Sequence, residues 1–137
     1  MTSKRQSIEQ ERAASAWQVI EPYIETEKEF QKKYGTLARK LPAMIQMNGL
    51  GSTLAFLKSK GKQDNKDAHN VLFNHLSAWV LKRVHATRQN KDLLDFVRNE
   101  DVDKYRQATA EAIQYGIWLK RYVEANDWGS AEGDDGD

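Results

Sequence analysis

The sequence predicts an all-α fold, a single compact bundle of about six helices whose first and last members are long. Three observations lead there. Only two prolines interrupt the 137 residues. β-Branched runs are nearly absent, whereas Ala, Leu, Lys, Glu and Gln, all good helix formers, are plentiful. Apolar residues recur at spacings of three and four, the period of one helix face.

The first helix is expected from about Ser7 to Tyr34, with Ala13, Ala16/Trp17, Ile20, Tyr23/Ile24, Phe30 and Tyr34 on one stripe. Pro22 should kink it or divide it in two. Gly35-Thr36 reads as a stop and restart, glycine at the left-handed C′ position and threonine as the next N-cap. A second helix over 37–48 aligns Leu37, Leu41, Met44/Ile45 and Asn48, with a bend expected near Pro42. Asn48-Gly49-Leu50-Gly51 reads as a tight break, because Asn48, Gly49 and Gly51 tolerate the positive φ of a helix reversal. Ser52 and Thr53 then open a third helix through Leu54, Phe56 and Leu57, ending in the polar loop 59–63. Asp64, Asn65 or Asp67 caps a fourth, with Ala68, Val71/Leu72, His75/Leu76, Trp79 and Arg83 on its stripe. A short fifth covers 91–98. Asp101 or Asp103 starts the last, where Tyr105, Ala108, Ala112, Tyr115/Gly116, Leu119 and Tyr122/Val123 repeat at helical spacing. From Asn126 the pattern gives way to small and acidic residues that cannot bury apolar area, and disorder is expected. The organisation is therefore one helical domain, 1–125, and an acidic flexible tail, 126–137, with no internal repeat.

A chain of this length suits one domain with a core that needs no covalent staples. The absence of cysteine excludes disulfides, thiolate metal sites and cysteine nucleophiles. The polar start through Arg12 has no apolar h-region, so no signal peptide is expected. Apolar stretches fall far short of the roughly 20 residues that span a bilayer. Cytoplasmic localisation is the plain reading.

The formal net charge of +1 conceals a strong division. Residues 1–31 carry 4 basic and 6 acidic side chains. Residues 32–91 carry 12 basic side chains and only Asp64 and Asp67 as acids, a net of +10, while residues 92–137 carry 5 basic and 12 acidic, a net of −7. Such asymmetry points to a polyanion partner, or to like molecules docking basic face on acidic face. Solvated helix surface is the bland alternative.

The residue types that carry catalysis fall into no catalytic pattern. His69, His75 and His85 are six and ten residues apart, so no pair sits one turn apart on a helix, and a metal site is not expected. His75 falls on an apolar stripe and reads as a core histidine; His69 and His85 read as surface residues or weak polyanion contacts. No Gly-x-Ser-x-Gly elbow occurs. The run 49–53 lacks the Gly-Lys-Ser/Thr ending of a phosphate loop, although free amides at that helix start could accept a phosphate. Asp92/Asp95 and Asp101/Asp103 lie at helix starts, where the helix dipole accounts for them. Trp17, Trp79 and Trp118 read as core rather than as base-stacking platforms. Trp128 follows the last helix and either packs back onto it or serves a neighbour. No catalytic residue, metal or cofactor is assigned.

The positive signal is the basic middle. Lys32/Lys33, Arg39/Lys40, Lys58/Lys60/Lys62, Lys82/Arg83 and Arg88/Lys91 cluster near helix ends and loops. Arg39, Lys40, Lys58, Lys60, Lys82, Arg83 and Arg88 are the candidate nucleic-acid contacts, and with no base-reading motif any contact should be to backbone.

The run 40–60, KLPAMIQMNGLGSTLAFLKSK, closely resembles the hallmark of the small-subunit family of type III-B CRISPR (Cmr) RNA-targeting complexes. Residues 103–112 with 118–125 form a second match, and 72–79 a weaker third, in the family's order. The resemblance implies an all-helical, non-catalytic subunit that stacks with copies of itself into the complex's minor filament. Its partners would be other Cmr subunits, CRISPR RNA and target RNA. The acidic tail departs from the family pattern. Two further readings stand beside this one: a protein–protein spacer whose basic middle docks on a neighbour's acidic patch, and a helix-turn-helix DNA binder over 37–57. Against the latter, Leu54-Ala55-Phe56-Leu57 is too apolar to lie in a major groove.

Overall fold

The computed structural model describes residues 6–87 and 89–130. Six α-helices follow in order: α1 (Ile8–Ile20), α2 (Lys28–Asn48), α3 (Leu50–Gly61), α4 (Ala68–Arg83), α5 (Leu93–Asn99) and α6 (Val102–Ala125). A 3-10 turn, Glu21–Tyr23, joins α1 to α2, and no strand occurs among the described residues. The all-helical class is borne out.

Division, rather than a kink, is the outcome at Pro22. Ser7 caps α1 reciprocally: its Oγ accepts the Gln10 amide at 3.1 Å, and Gln10 Oε1 accepts the Ser7 amide at 2.8 Å. Pro22 has no amide to extend the ladder, so the chain tightens into the 3-10 turn and α1 ends. Gln31 then gathers carbonyls left over at the break, donating from Nε2 to Tyr23 O at 2.8 Å and Ile24 O at 2.9 Å. The long helices are consequently α2 and α6, with 21 and 24 residues.

Gly35-Thr36 does not stop a helix, contrary to the sequence reading. α2 passes through both, and through Pro42, to Asn48. Glycine is needed at 35 for a different reason: a Cβ there would lie 2.3 Å from the carbonyl oxygen of Trp128. Thr36 is buried, and its Oγ1 accepts the Ser130 amide at 3.3 Å. The reversal into α3 uses Gly49 alone, at φ 90°. Gly51 lies inside α3 and Ser52 does not cap it; the Gly51 amide donates to Tyr105 Oη at 3.0 Å and Thr53 Oγ1 donates to Gly49 O at 2.9 Å.

The remaining starts follow the predicted aspartates. Asp67 accepts the His69 amide at 2.8 Å, Asp92 the Asp95 amide at 2.9 Å and Asp101 the Lys104 amide at 2.9 Å. Asn70, buried in α4, ties down the preceding turn by donating to Gly61 O at 3.0 Å and Asp64 O at 2.8 Å.

α2 and α6 run antiparallel. Gly35 meets Trp128, Arg39 meets Glu124, and Leu41 meets Gly116 along the seam. α4 lies against both, α3 folds back on α4, α1 covers α6, and α5 closes the far side against α3 and α4. Leu37, Leu41 and Ile45 of α2, Leu54 and Leu57 of α3, Leu72, Leu76 and Val80 of α4, and Tyr115 and Leu119 of α6 are among the buried side chains of one core. Packing extends past Ala125. Trp128 N donates to Val123 O at 2.8 Å, the Trp128 ring meets Tyr34 edge-on at 6.3 Å, and Arg39 Nε donates to Trp128 O at 2.9 Å. Of the two roles read for Trp128, packing back is the one found. Glu132 and the other residues of 131–137 lie outside the described residues, as does Arg88.

Gly35→Ala distinguishes the two roles for residue 35. Helix propensity alone would have alanine stabilise by about 1 kcal/mol. The seam predicts the opposite sign, a loss of about 1–3 kcal/mol as the Trp128 segment is pushed off, read as a lower denaturation midpoint with a red-shifted tryptophan emission.

Candidate nucleic-acid interface

Several buried polar groups are engaged with one another. Glu111, on the inward face of α6, receives Arg12 as a fork: Nε donates to Oε2 at 2.6 Å and Nη2 to Oε1 at 2.9 Å. Trp79 Nε1 donates to the same Oε2 at 2.8 Å, and its ring stacks on Tyr115 at 5.2 Å. Burial pushes the Glu111 carboxyl up, but the Arg12 fork and the Trp79 N–H outweigh it and hold the group below its ordinary value. The sequence reading passed over Glu111, although its position between Ala108 and Ala112/Tyr115 marks the inward face.

His75 accepts or shares a hydrogen bond with Tyr34 Oη at Nδ1, 2.8 Å away. The ring is half-buried rather than fully in the core, and its burial lowers the pKa to about 4, so it is neutral at pH 7. His69 is not a surface residue. It is 2% exposed, with Nδ1 2.7 Å from Asp67 Oδ1 and its ring edge-on to Phe56. His85 is exposed, at φ 55°. No group of three or more His, Asp or Glu side chains among the described residues is arranged to hold a metal ion. Trp79 is buried; Trp17 and Trp118 are half-buried against the two sides of Tyr122, at 5.3 and 5.7 Å.

The basic candidates separate into two kinds. Arg39 and Arg83 are built into the interior. Arg39 is bound to the Trp128 carbonyl and lies 4.0 Å from Glu124. Arg83 is half-buried, its charge helps to lower Glu111, and its buried Nε has no hydrogen-bond partner among the described residues. The other described candidates face outward or lie half-buried at the surface. Lys58 is exposed with Nζ 4.8 Å above the Phe73 ring, Lys82 is exposed 5.9 Å from the Trp79 ring, and Lys40 and Lys60 are half-buried. Phe73 and Lys82 are nine residues apart on α4, about 13 Å along its axis. Lys58 and Lys82 thus mark separate places along α4.

The densest cationic feature is the turn from α3 into α4. Lys58, Lys60, Lys62 and Lys66 surround it, and all but the half-buried Lys60 are exposed. The two acids of the basic middle stand in this same turn, each with one oxygen on a backbone amide: Asp64 Oδ1 accepts the Lys66 amide at 2.9 Å, and Asp67 Oδ1 caps α4 and also meets the His69 ring. The turn itself is held by Asn70 and by Gly61, where a Cβ would lie 2.4 Å from the Asn70 side chain. A fixed loop thus presents the exposed ammonium groups of Lys58, Lys62 and Lys66, with Lys60 half-buried beside them, an arrangement suited to phosphate contacts. Lys66 was counted in the charge but not singled out; its place four residues after Lys62 on the same turn was the available signal.

A family model described as CRISPR-associated protein (Cas_Cmr5) matches residues 8–126. A Thermus thermophilus protein named CRISPR system Cmr subunit Cmr5 is 31% identical over 93 residues, 68% of this chain and 74% of that one. A Thermotoga maritima protein of the same name is 31% identical over 123 residues, covering 88% and 85%. The crystal structure of a CRISPR-associated Cmr5 family protein from Thermus thermophilus superposes with a TM-score of 0.69 at 26% identity, over 88% of this chain and 97% of that chain.

The half-buried His75 and the buried Glu111 set a pH dependence. Between about 4 and its ordinary 6.5, His75 takes up a proton in the unfolded chain but not in the folded one. Stability should be full above pH 6.5 and fall by up to about 3 kcal/mol as pH drops toward 4. Glu111 adds to this at lower pH, its contribution present above its ordinary 4.5 and lost as pH falls through its lower folded value. Thermal melts across pH 8 to 4 check this. His75→Gln should flatten the upper part of the decline, and an unchanged curve would assign it to other groups.

Proposed function

The chain belongs to the CRISPR-associated Cas_Cmr5 family, and from that premise we propose that it is a non-catalytic structural small subunit of a type III-B CRISPR (Cmr) effector. In this reading it stacks with copies of itself and other Cmr subunits in the minor filament, in the cytoplasm. It contacts the sugar-phosphate backbone of CRISPR RNA and target RNA without reading sequence and without a cofactor. The observation that carries the RNA part is the α3–α4 turn, where Lys58, Lys62 and Lys66 are exposed and each neighbouring acid has one oxygen on a backbone amide. Lys82 and Lys40 extend the cationic surface; Arg39 and Arg83 serve mainly the interior. Arg88 stays a candidate from the sequence alone.

Several features agree with this assignment. No helix among the described residues is long and apolar enough to cross a membrane. Leu50, Leu54 and Leu57 of α3 are buried in the core, which leaves that helix unsuited to lie in a DNA groove. The spacer reading also has an observation in its favour. Met47 and Val102 are 83% and 62% exposed, at the end where α2 finishes and α6 begins. Exposed apolar side chains of this kind suit contact with another subunit.

RNA binding by the isolated chain should be weak and steeply salt-dependent. Four to six phosphate contacts give a log–log slope of about −3 to −4 for a single strand. Reversing the turn (Lys58→Glu, Lys60→Glu, Lys62→Glu, Lys66→Glu) should remove about 3 from that slope, with the helical circular dichroism retained. Fluorescence anisotropy with a labelled single strand reads both. An unchanged slope in the reversed variant would favour the spacer reading.

A further inference from the structure

The loop between α1 and α2 and the turn between α3 and α4 face each other across an open groove of about 690 Å³. Its floor is apolar. Tyr23 and Phe30, stacked at 4.7 Å and 22°, line it together with Val71 of α4, and both rings are only half-buried. The walls are held by amide side chains. Gln31 Nε2 fixes the first loop by donating to the carbonyls of Tyr23 at 2.8 Å, Ile24 at 2.9 Å and Thr26 at 3.3 Å, while Asn70 fixes the second turn. Glu25 and Glu27 stand on the first wall, Asn65 and Lys66 on the second. Past Phe30 the groove continues between Glu29, Lys33 and the capping Asp67. Glu25, Glu27 and Glu29 are exposed, and their carboxylates have no hydrogen bond or ion pair among the described residues; Glu27, at the N-cap of α2, makes no cap bond.

An aromatic floor suits either a nucleobase or a planar cation. The rim decides between them: Glu25, Glu27 and Glu29 against Lys33 and Lys66 leave an excess of negative charge, which repels a phosphate backbone and attracts a cation. We propose that this groove docks an arginine-bearing segment of another protein, its guanidinium lying over Tyr23 and Phe30 and donating to Glu25 or Glu27. A guanidinium is planar and weakly hydrated, so it can stack on a ring while forking onto a carboxylate, which an ammonium cannot do. The groove has room for the residues that flank the arginine, and walls already fixed reduce the ordering cost of docking. Of this chain's own described arginines, Arg12, Arg39 and Arg83 are directed inward, and Arg98 and Arg121 pair with acids on their own helices, so the arginine is drawn from a different protein. Exposed Arg106 makes a second copy the rival source. The docking does not depend on RNA binding, since Lys58, Lys60 and Lys62 do not line the groove.

Titrating the isotope-labelled full chain with acetyl-Gly-Arg-Gly-amide, followed by amide chemical shifts, tests the site. Shifts at Tyr23, Thr26, Phe30 and Asn65 are expected with this peptide, smaller ones with its lysine counterpart, and none with its norleucine or glutamate counterparts. Glu25→Gln combined with Glu27→Gln should weaken the arginine peptide about fivefold. Phe30→Leu, which keeps the floor apolar, should weaken it about threefold, each variant retaining its helical circular dichroism. No shift at about 10 mM arginine peptide, equal shifts from the glutamate peptide, or unchanged affinity in both variants would overturn the proposal. The same shifts on adding single-stranded RNA would overturn it in favour of a nucleobase. Shifts that appear when the protein alone is concentrated, and vanish in Arg106→Gln, would overturn it in favour of a second copy.

Discussion

The antiparallel seam between α2 and α6 closes because glycine stands wherever backbone must approach closely. At Gly116 a Cβ would press to 3.3 Å from Leu41, and at Gly35 it would lie 2.3 Å from the Trp128 carbonyl. Gly129, at φ +72°, passes the Thr36 amide with no room for a Cβ either. These contacts set how deeply α6 sits, and with it the positions of Tyr115 against Trp79 and of Tyr105 under the start of α3. α4 packs on the pair so formed, and the α3–α4 turn takes its place from α4. A basic loop far from the seam therefore depends on it for its orientation.

Charge is divided between interior and surface. Glu111 is buried, and a buried carboxylate is tolerated only with donors on both oxygens. Arg12 and Trp79 supply them, and Arg83 contributes to the same field. Arg39 performs the equivalent service for the Trp128 carbonyl. Arg39 and Arg83 both lie in the basic middle of the sequence, yet their heads are directed inward. Lysine, with its flexible stem and strongly hydrated head, is what remains for the solvent.

Much of the helical content and most of the helix starts were legible, because caps and periodicity are local properties. Asp67, Asp92 and Asp101 were each within the candidates named for their helix starts. Pro22 was recognised as a break, since a missing amide acts within one turn. What failed were residues whose role is set by distant chain. Gly35 reads as a stop by local rules and is instead a helical residue shaped by Trp128, 93 positions later. Gly51 was grouped with Gly49 although only Gly49 takes a positive φ; the difference lies in Tyr105, which no local pattern reveals. His69 was placed at the surface because its partner is the capping Asp67 and its ring lies under Phe56. For the candidate site, sequence named Lys58, Lys60 and Lys62 of the basic turn but not Lys66, nor the inward use of Arg39 and Arg83. A charge count cannot show which way a long side chain points.

A rigid helical scaffold thus carries a lysine-bearing turn that, in the proposed function, contacts RNA backbone within a larger assembly. The most direct measurement is ultraviolet crosslinking of the assembled Cmr complex with its RNA, followed by mapping of nucleotide adducts on this chain. Adducts concentrated on the peptide containing residues 58–66 are predicted. Adducts absent from that peptide, with the same lysines instead linked to carboxylates of neighbouring subunits, would contradict it.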